Sequence, residues 1–422
     1  MATIYFLGTA TAVAQVDTVQ ITADDAATTY TLTIGSGNNT AAVSVAGTGT
    51  GVNDTAAALQ AAAAASTHPY FAAITFTVGT DTITMTAATA GVPFTAASSV
   101  AGGTGTIGAV ANSTASAGPN DWSTAANWSA GAVPVADDDV ILQDCSTNIC
   151  WGLAQSAVDL DSLEIRRTYT GRIGLNYRAF ATSADGATTD ADALEYRATY
   201  LDIESDRVEI GAHSGVGSPT GSSRINLDLG DHACTCIVYA TNTTSADTGR
   251  APVRLLFNNA ASILHVLDAA GGVGIAADAP GEVSTLGTVY MTPVSGSARL
   301  EISAGVTWTT MYHSSGTSYV SAANSPTTIH MDGGVLYTRG QWTFTTGNMR
   351  GGTWYHENAP AAGAAVTTLN LYAGTTIADQ ASEARTWTTV NFHPDAKLQA
   401  DGRILTITTP TPPSERYTLS CK

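Results

Sequence analysis

Paired acidic residues come closer to a catalytic pattern than any other side chains in this sequence. Glycoside hydrolysis uses two carboxylates roughly 5–10 Å apart, and acids two residues apart on a strand share one face. The pairs to consider on strand-like runs are Asp159 and Asp161, Asp202 and Glu204, and Glu204 and Asp206. If Leu201 and Ile203 face the core, Asp202 and Glu204 face outward, where a raised pKa is hard to reach. We expect a solvated strand face and no catalytic residues.

Candidate metal ligands lack the spacing of a dedicated site. Asp137, Asp138 and Asp139 are adjacent, whereas a calcium loop alternates its ligands, and the eight histidines include no His-x-x-x-His pair. The trio His393-Pro394-Asp395 is typical of a turn. The sequence therefore predicts no metal site, no cofactor-binding residues and no cofactor.

Five cysteines are too few for a disulfide scaffold. Cys145 and Cys150 are close enough in sequence to close a small loop, so free thiols and a disulfide both remain open for this pair. Cys234 and Cys236 share one face of a predicted strand, and their C-x-C spacing is poor for zinc. We expect mainly buried free thiols; Cys421 is the fifth cysteine.

Aromatic residues leave a second choice open. Trp342, Trp354, Tyr355 and Trp387 could stack on sugars, or they could fill a core or a subunit interface, which we favour. Host surface glycans therefore remain candidate ligands.

Charge excludes several partners. The net charge is −18, and no Lys or Arg precedes Arg166. A chain so poor in bases offers no track for phosphates, so nucleic acid and anionic membranes are not expected partners. The sequence has no apolar run of about 18 residues for a membrane span and no recognisable export signal.

The first part of the chain predicts a small α+β module. Tyr30, Leu32 and Ile34 alternate with threonines, an Ala-rich helix is expected near 55–65 with N-caps among Asn53, Asp54 and Thr55, and a hairpin should turn at 79–81. We assign residues 1–95 to this module, as an anchor. Residues 96–120 contain mostly Ala, Gly, Ser and Thr and are predicted to be a linker.

Residues 121–422 predict a parallel β-helix. Short apolar runs recur every 15–30 residues, and Gly333-Gly334-Val335-Leu336-Tyr337 matches Gly351-Gly352-Thr353-Trp354-Tyr355 at an offset of 18. Roughly 10–13 coils would give a body about 50–60 Å long. A β-sandwich is the alternative, although hairpin dipeptides are few. Trp122 and Trp128 are expected to cap the start, while Pro134 and Asp137 to Asp139 protect an edge strand.

Two segments carry a resemblance. The module that ends at 86–95 resembles small modules in structural proteins of tailed bacteriophages, and 127–134 with Asp138-Asp139-Val140 resembles a motif at the start of β-solenoids in bacterial surface and phage proteins. The resemblance implies a virion or cell-surface structural protein, and it transfers no catalytic residues.

The sequence as a whole therefore predicts a mainly β, non-enzymatic protein of a bacteriophage particle surface, assembled in the host cytoplasm. We expect a head decoration or protruding fibre protein that forms a homotrimer and binds phage capsid or tail proteins. A tail-associated receptor-binding protein or a polysaccharide-degrading tailspike is the alternative.

Overall fold

The structure is a computed structural model of the whole chain. It describes residues 2–36, 39–175, 199–212, 221–277, 282–294, 296–321, 326–339, 344–357, 366–372, 374–380, 384–399, 405–411 and 419–420. Trp342, one of the aromatic residues considered for sugar stacking, and Cys421 lie outside these residues.

The described part of the first 127 residues contains nine strands, two α-helices and one 3₁₀ turn. In chain order these are β1 (Thr3–Tyr5), β2 (Val16–Ala23), β3 (Thr29–Ser36), β4 (Asn39–Ala46), α1 (Val52–Ala65), α2 (Pro69–Ala72), β5 (Ile74–Gly79), β6 (Thr82–Ala87), β7 (Thr95–Ala101), β8 (Thr106–Ile107), β9 (Ala111–Thr114) and the 3₁₀ turn (Ala125–Asn127).

The described remainder consists of short strands. They are β10 (Asp139–Leu142), β11 (Ala154–Arg166), β12 (Leu201–Ala212), β13 (Ile225–Asp228), β14 (Thr235–Val238), β15 (Val253–Leu256), β16 (Ile263–Val266), β17 (Val273–Ile275), β18 (Ser284–Thr285), β19 (Thr288–Met291), β20 (Arg299–Ile302), β21 (Val306–Thr307), β22 (Thr310–His313), β23 (Thr317–Val320), β24 (Thr328–Met331), β25 (Val335–Arg339), β26 (Phe344–Met349), β27 (Gly352–Glu357), β28 (Val366–Leu371), β29 (Thr375–Gln380), β30 (Arg385–Phe392), β31 (Lys397–Gln399), β32 (Leu405–Thr411) and β33 (Leu419–Ser420).

These strands form a parallel β-solenoid, as the sequence predicts. From β13 onward, strands pair in parallel with the strand one coil away, which gives two stacks that run side by side. Thr310 pairs with Thr328, and Thr328 pairs with Thr346, so these coils are 18 residues long. Thr235 pairs with Ile263, so an earlier coil takes 28 residues. One stack, from β1 to β32, has thirteen described strands, which corresponds to a height on the order of 60 Å.

The core of the solenoid is apolar because alternate residues of each strand point inward. In β16, Leu264 and Val266 are fully buried, and Ile263 and His265 are only half-buried. Trp354 and Trp387 lie inside, with ring centroids 5.8 Å apart. Interior packing, rather than sugar stacking, is therefore the role of these two tryptophans.

The N-terminal module has a separate core between two small antiparallel sheets and α1. Its sheets run β5-β6-β2-β8, with β9 also on β2, and β4-β3-β7. The predicted Tyr30, Leu32 and Ile34 are fully buried, and β5 and β6 form the expected hairpin. The predicted N-cap is wrong: the helix begins at Val52 after Gly51, whose missing side chain makes no cap hydrogen bond.

The segment expected to be a linker contains strands instead. β7 pairs with β3 along its full length, and β8 and β9 pair with β2. Strand pairing is made by backbone groups, so small Ala, Ser and Thr side chains suffice at a sheet edge. The lack of large apolar residues in 96–120 is therefore not evidence of a linker.

The module is inserted within the solenoid and does not simply precede it in the sequence. Thr3, Ile4 and Tyr5 pair in parallel with Asp139, Val140 and Ile141, so residues assigned to the module by sequence form a solenoid strand. On its outer edge, Phe6 bridges Trp128 in antiparallel fashion. The edge strand is thus β1, and Asp139 is paired within the sheet.

The predicted tryptophan cap lies at this end. Trp122 and Trp128 are buried with their ring centroids 4.6 Å apart, and Phe6 packs 5.2 Å from Trp128. Asn127 is also fully buried, and it accepts a hydrogen bond from the Ala10 amide. The cap therefore covers the first coil and fixes the chain that leads into the module. In the described part of the chain, no helix is long and apolar enough to cross a membrane.

Candidate acidic site on the outer face of the solenoid

The acidic pairs singled out by sequence lie where β11, β12 and the following coil meet. Leu201, Ile203 and Ser205 are fully buried, which leaves Asp202 and Glu204 on the outward face as predicted. Asp159 pairs with Glu204, and Asp202 pairs with Asp228 on the next coil. The parallel register therefore gathers acids from three coils at one place.

The outward face is less solvated than the sequence indicates. Burial raises the pKa of Asp202, and the negative charge of Asp228 raises it further. Burial also raises the pKa of Asp228, while the Gly230 amide donates to this carboxylate and lowers it. Two acids that face each other across neighbouring strands thus hold their protons more tightly than free carboxyl groups do.

Glu204 is the third member of the site with a raised pKa. Burial is the main cause, followed by a hydrogen bond with Asp231 and by the charges of Asp231 and Asp159. The backbone makes room for this carboxyl group at Gly230, whose φ is +59°: a Cβ there would lie 2.9 Å from Glu204 Oε1. The left-handed conformation favours glycine at this turn, and an added Cβ would require the Glu204 side chain to shift.

His232 lies between the carboxylates of Asp206 and Asp159. His232 Nε2 lies 2.7 Å from Asp206 Oδ1, and His232 Nδ1 lies 3.3 Å from Asp159 Oδ2. The hydrogen bond with Asp206 raises the pKa of His232, and the charge of Asp159 adds to it, against the opposing effect of burial. The His232 ring therefore connects β11, β12 and the turn before β14.

Asp159, Asp206 and His232 are also the described residues whose donor atoms could hold a cation. One atom from each lies within 4.8 Å of the others. The two ring nitrogens of His232 face different carboxylates, so the ring could give only one of them to a metal. In the structure the ring lies between the two carboxylates, within hydrogen-bond distance of Asp206 and 3.3 Å from Asp159.

The chemistry available to this site is proton transfer from Glu204. A carboxyl group with a raised pKa close to other carboxylates is the arrangement that glycosidases use for a general acid. Asp206 and Asp159, the potential bases, are engaged by His232. Asp161 lies on β11 but is not among the acids that converge with His232.

The other residues considered as candidate ligands have structural roles. Asp138 is buried, and it accepts from the Ala2 and Val135 amides at 3.2 and 3.0 Å. Asp139 accepts from Ser162. The predicted turn at His393-Pro394-Asp395 is present, with Asp395 at φ 66° and with His393 stacked on Tyr372 at 4.1 Å.

The described cysteines are free thiols. Cys145 and Cys150 are half-buried and not joined by a disulfide. Cys234 and Cys236 are buried on one face as predicted, and burial raises the pKa of Cys234 to about 12. Such thiols are poor nucleophiles.

Sequence reasoning missed two ladders of side chains on the outer surface. In the first ladder, the rings of His265, Tyr290, Tyr312 and His330 stack at 4.4, 4.9 and 4.7 Å. In the second, Tyr319, Tyr337 and Tyr355 stack at 5.0 and 4.9 Å, with the Arg299 guanidinium 4.9 Å from the Tyr319 centroid. Each ring covers the face of the next, which leaves mainly edges for a sugar.

An asparagine ladder continues the first aromatic ladder. Asn391 donates to Asn370 at 2.7 Å, and Asn370 donates to Asn348 at 2.8 Å. Asn348 in turn pairs in register with His330. The signal that could have revealed both ladders is the recurrence of aromatic and amide residues at one coil length, a comparison that needs the register of each coil.

Comparison with protein-family models, with curated protein sequences and with solved structures found no match.

Proposed function

We propose that this chain is a non-enzymatic structural component of a bacteriophage particle surface, most suitably a head decoration or protruding fibre protein. The observation that carries the proposal is the position of the module. It is inserted between β1 and β10, in the first coils, so a compact body is fixed at one end of a rod. Such a shape suits a protein that docks by one end and projects by the other.

The surface of the rod supports the same proposal. The two aromatic ladders and the asparagine ladder join successive coils through their side chains, which stiffens the solenoid along its axis. A net charge of −18 keeps such a protein soluble before it docks. We propose phage capsid or tail proteins as its partners, and a homotrimer as its assembly because closed cyclic symmetry is the usual solution for identical subunits.

A tailspike that degrades polysaccharide is the second candidate, since Glu204 has the raised pKa of a general acid. The two candidates are separated by incubating the purified protein with host capsule or lipopolysaccharide. If the chain is a structural protein, we expect no new reducing ends or unsaturated products. Release of sugar that disappears in an Asp202→Asn, Glu204→Gln double variant would establish the tailspike instead.

The structural proposal is tested on particles of the phage whose genome encodes this chain. Particles are banded in a density gradient and their proteins are identified by mass spectrometry. We expect the chain in the particle band, at a copy number that is a multiple of three if the trimer is correct. Recovery only in the free protein fraction would refute the proposal.

A further inference from the structure

A cavity lies between the inserted module and the solenoid. Its volume is about 510 Å³, within the usual range for sites that bind small organic molecules. The module contributes an apolar wall, which includes Ile34, Tyr70, Ile74, Val92 and Phe94. The acidic site described above shares no lining residue with this cavity.

The solenoid contributes the polar wall. This wall is positively charged, which is unexpected in so acidic a chain. The sequence has 35 acidic and 17 basic residues, yet the charged residues among the described lining are two arginines, Arg172 and Arg224. Trp151 and Asn148 lie on the same wall. A cavity that is apolar on one side and cationic on the other fits an anion with a hydrophobic body.

The two arginines have different roles. Arg224 is 3% exposed, and it donates from Nε and Nη2 to Asp247 at 2.9 and 3.0 Å and from Nη1 to the Gly174 carbonyl at 3.2 Å. It is therefore held in place as part of the wall. A second buried arginine, Arg254, contacts the same Asp247 carboxylate.

Arg172 is the arginine that can reach a ligand. It is exposed, and its side-chain contact in the described structure joins Nε to Ser223 Oγ at 3.3 Å. Its backbone is fixed, because the Arg172 amide donates to Asn148 Oδ1 at 2.9 Å. The two terminal amino groups of its guanidinium can then hold one carboxylate through two parallel hydrogen bonds.

We propose that this cavity binds a monocarboxylate with an aliphatic or aromatic body. The carboxylate pairs with Arg172, and the body packs against the module wall near Tyr70 and Phe94. Because the cavity is lined by both parts of the chain, a bound ligand would also hold the module against the solenoid.

Calorimetric titration of the full chain with octanoate and with octanol, its uncharged counterpart, tests the proposal. We expect saturable binding of one octanoate per chain, about tenfold tighter than octanol, because a charge-assisted hydrogen bond is lost in the alcohol. Arg172→Gln should weaken octanoate to the affinity of octanol and leave octanol unchanged. Arg207→Gln, at an exposed arginine paired with Glu209 away from the cavity, is the matched control and should change neither.

A second variant tests the apolar wall. Ala73 lines the cavity and is exposed, so Ala73→Trp should be tolerated by the fold and should block both ligands. Circular dichroism and a thermal melt verify that each variant is folded. Equal affinity for octanoate and octanol, an unaffected Arg172→Gln variant, or no saturable binding of octanoate would each overturn the proposal.

Discussion

Val13 and Ala117 lie side by side in an antiparallel bridge, with the Val13 amide donating to the Ala117 carbonyl at 2.7 Å, although the whole module separates them in sequence. The two ends of the insertion are therefore adjacent. This pairing explains how a solenoid can start with β1, leave for a module of some hundred residues, and resume at β10 without a break in the stack.

We predict that the module can be excised at this bridge. Replacing residues 14–116 with a short Gly-Ser linker keeps β1, Phe6 and the tryptophan cap, so the solenoid should remain folded with a β-type circular dichroism spectrum. Truncation of residues 1–117 is the control, since it removes Phe6, a core aromatic whose loss costs about 3–5 kcal/mol. A thermal melt in which both variants unfold at the same temperature would contradict the role of β1.

The turn at Gly230 gives a prediction about the acidic site. Gly230→Ala should destabilise the fold because alanine in the left-handed region costs about 1–2 kcal/mol and because its Cβ would lie 2.9 Å from Glu204 Oε1. Gly249→Ala is the matched control, since Gly249 has φ +77° with open space around its Cβ position. Urea unfolding should show a larger loss for Gly230→Ala.

The double variant Gly230→Ala, Glu204→Ala separates the two causes. Removing the Glu204 carboxyl relieves the close contact, so the double variant should recover the difference between Gly230→Ala and the Gly249 control. No recovery would mean that backbone conformation alone makes glycine necessary at this turn.

Stability that depends on His232 should fall as pH rises. The pKa of His232 is raised in the folded protein, mainly by Asp206, so its contribution is fully present below the ordinary pKa of 6.5 and is lost as pH rises through the folded value. His232→Gln should therefore cost up to about 1 kcal/mol at acidic pH and almost nothing at pH ~9. The comparison is made by urea unfolding of both proteins at each pH.

Asp206→Asn provides the control for this prediction. It removes the acceptor that lies 2.7 Å from His232 Nε2, so most of the pH dependence due to His232 should vanish in this background. An effect of His232→Gln that is constant with pH, or that grows toward alkaline pH, would contradict a stabilising interaction between protonated His232 and Asp206.

The aromatic ladder gives a fourth prediction. Tyr312 lies between Tyr290 and His330 at 4.9 and 4.7 Å, so Tyr312→Ala breaks two ring contacts, each worth about 0.5–1.5 kcal/mol. Tyr312→Phe keeps the stacked ring and should have nearly wild-type stability. If the Phe and Ala variants lose equal stability in thermal melts, the hydroxyl group and not the stacking is what matters.

The solenoid could be predicted because its signals are local. The offset of 18 between Val335 and Thr353, and between Tyr337 and Tyr355, is the register that pairs them in the structure. The alternation of Leu201 and Ile203 with acids likewise fixes which residues face inward. Both follow from the two-residue period of a strand and need no knowledge of distant contacts.

The insertion and the acidic site could not be predicted in this way. Three residues at Thr3–Tyr5 carry too little pattern to be assigned to a strand whose partner begins at Asp139. Likewise, Asp159, Glu204 and His232 meet only through the stacking of coils that differ in length. Their half-buried environment depends on that stacking, so the alternation within one strand predicted a solvated face.

We propose that the module fixes the chain to a particle surface and that the solenoid projects from this surface. An epitope inserted at Gly296 provides the label, since Val294, two residues before it, is 97% exposed and Gly296 has no neighbour close to its Cβ position. Gold-labelled antibody is imaged on phage particles that carry the tagged protein. We predict gold at the particle surface for the full chain and none when residues 14–116 are excised. Particles that remain unlabelled with the full chain, or equally labelled without the module, would contradict it.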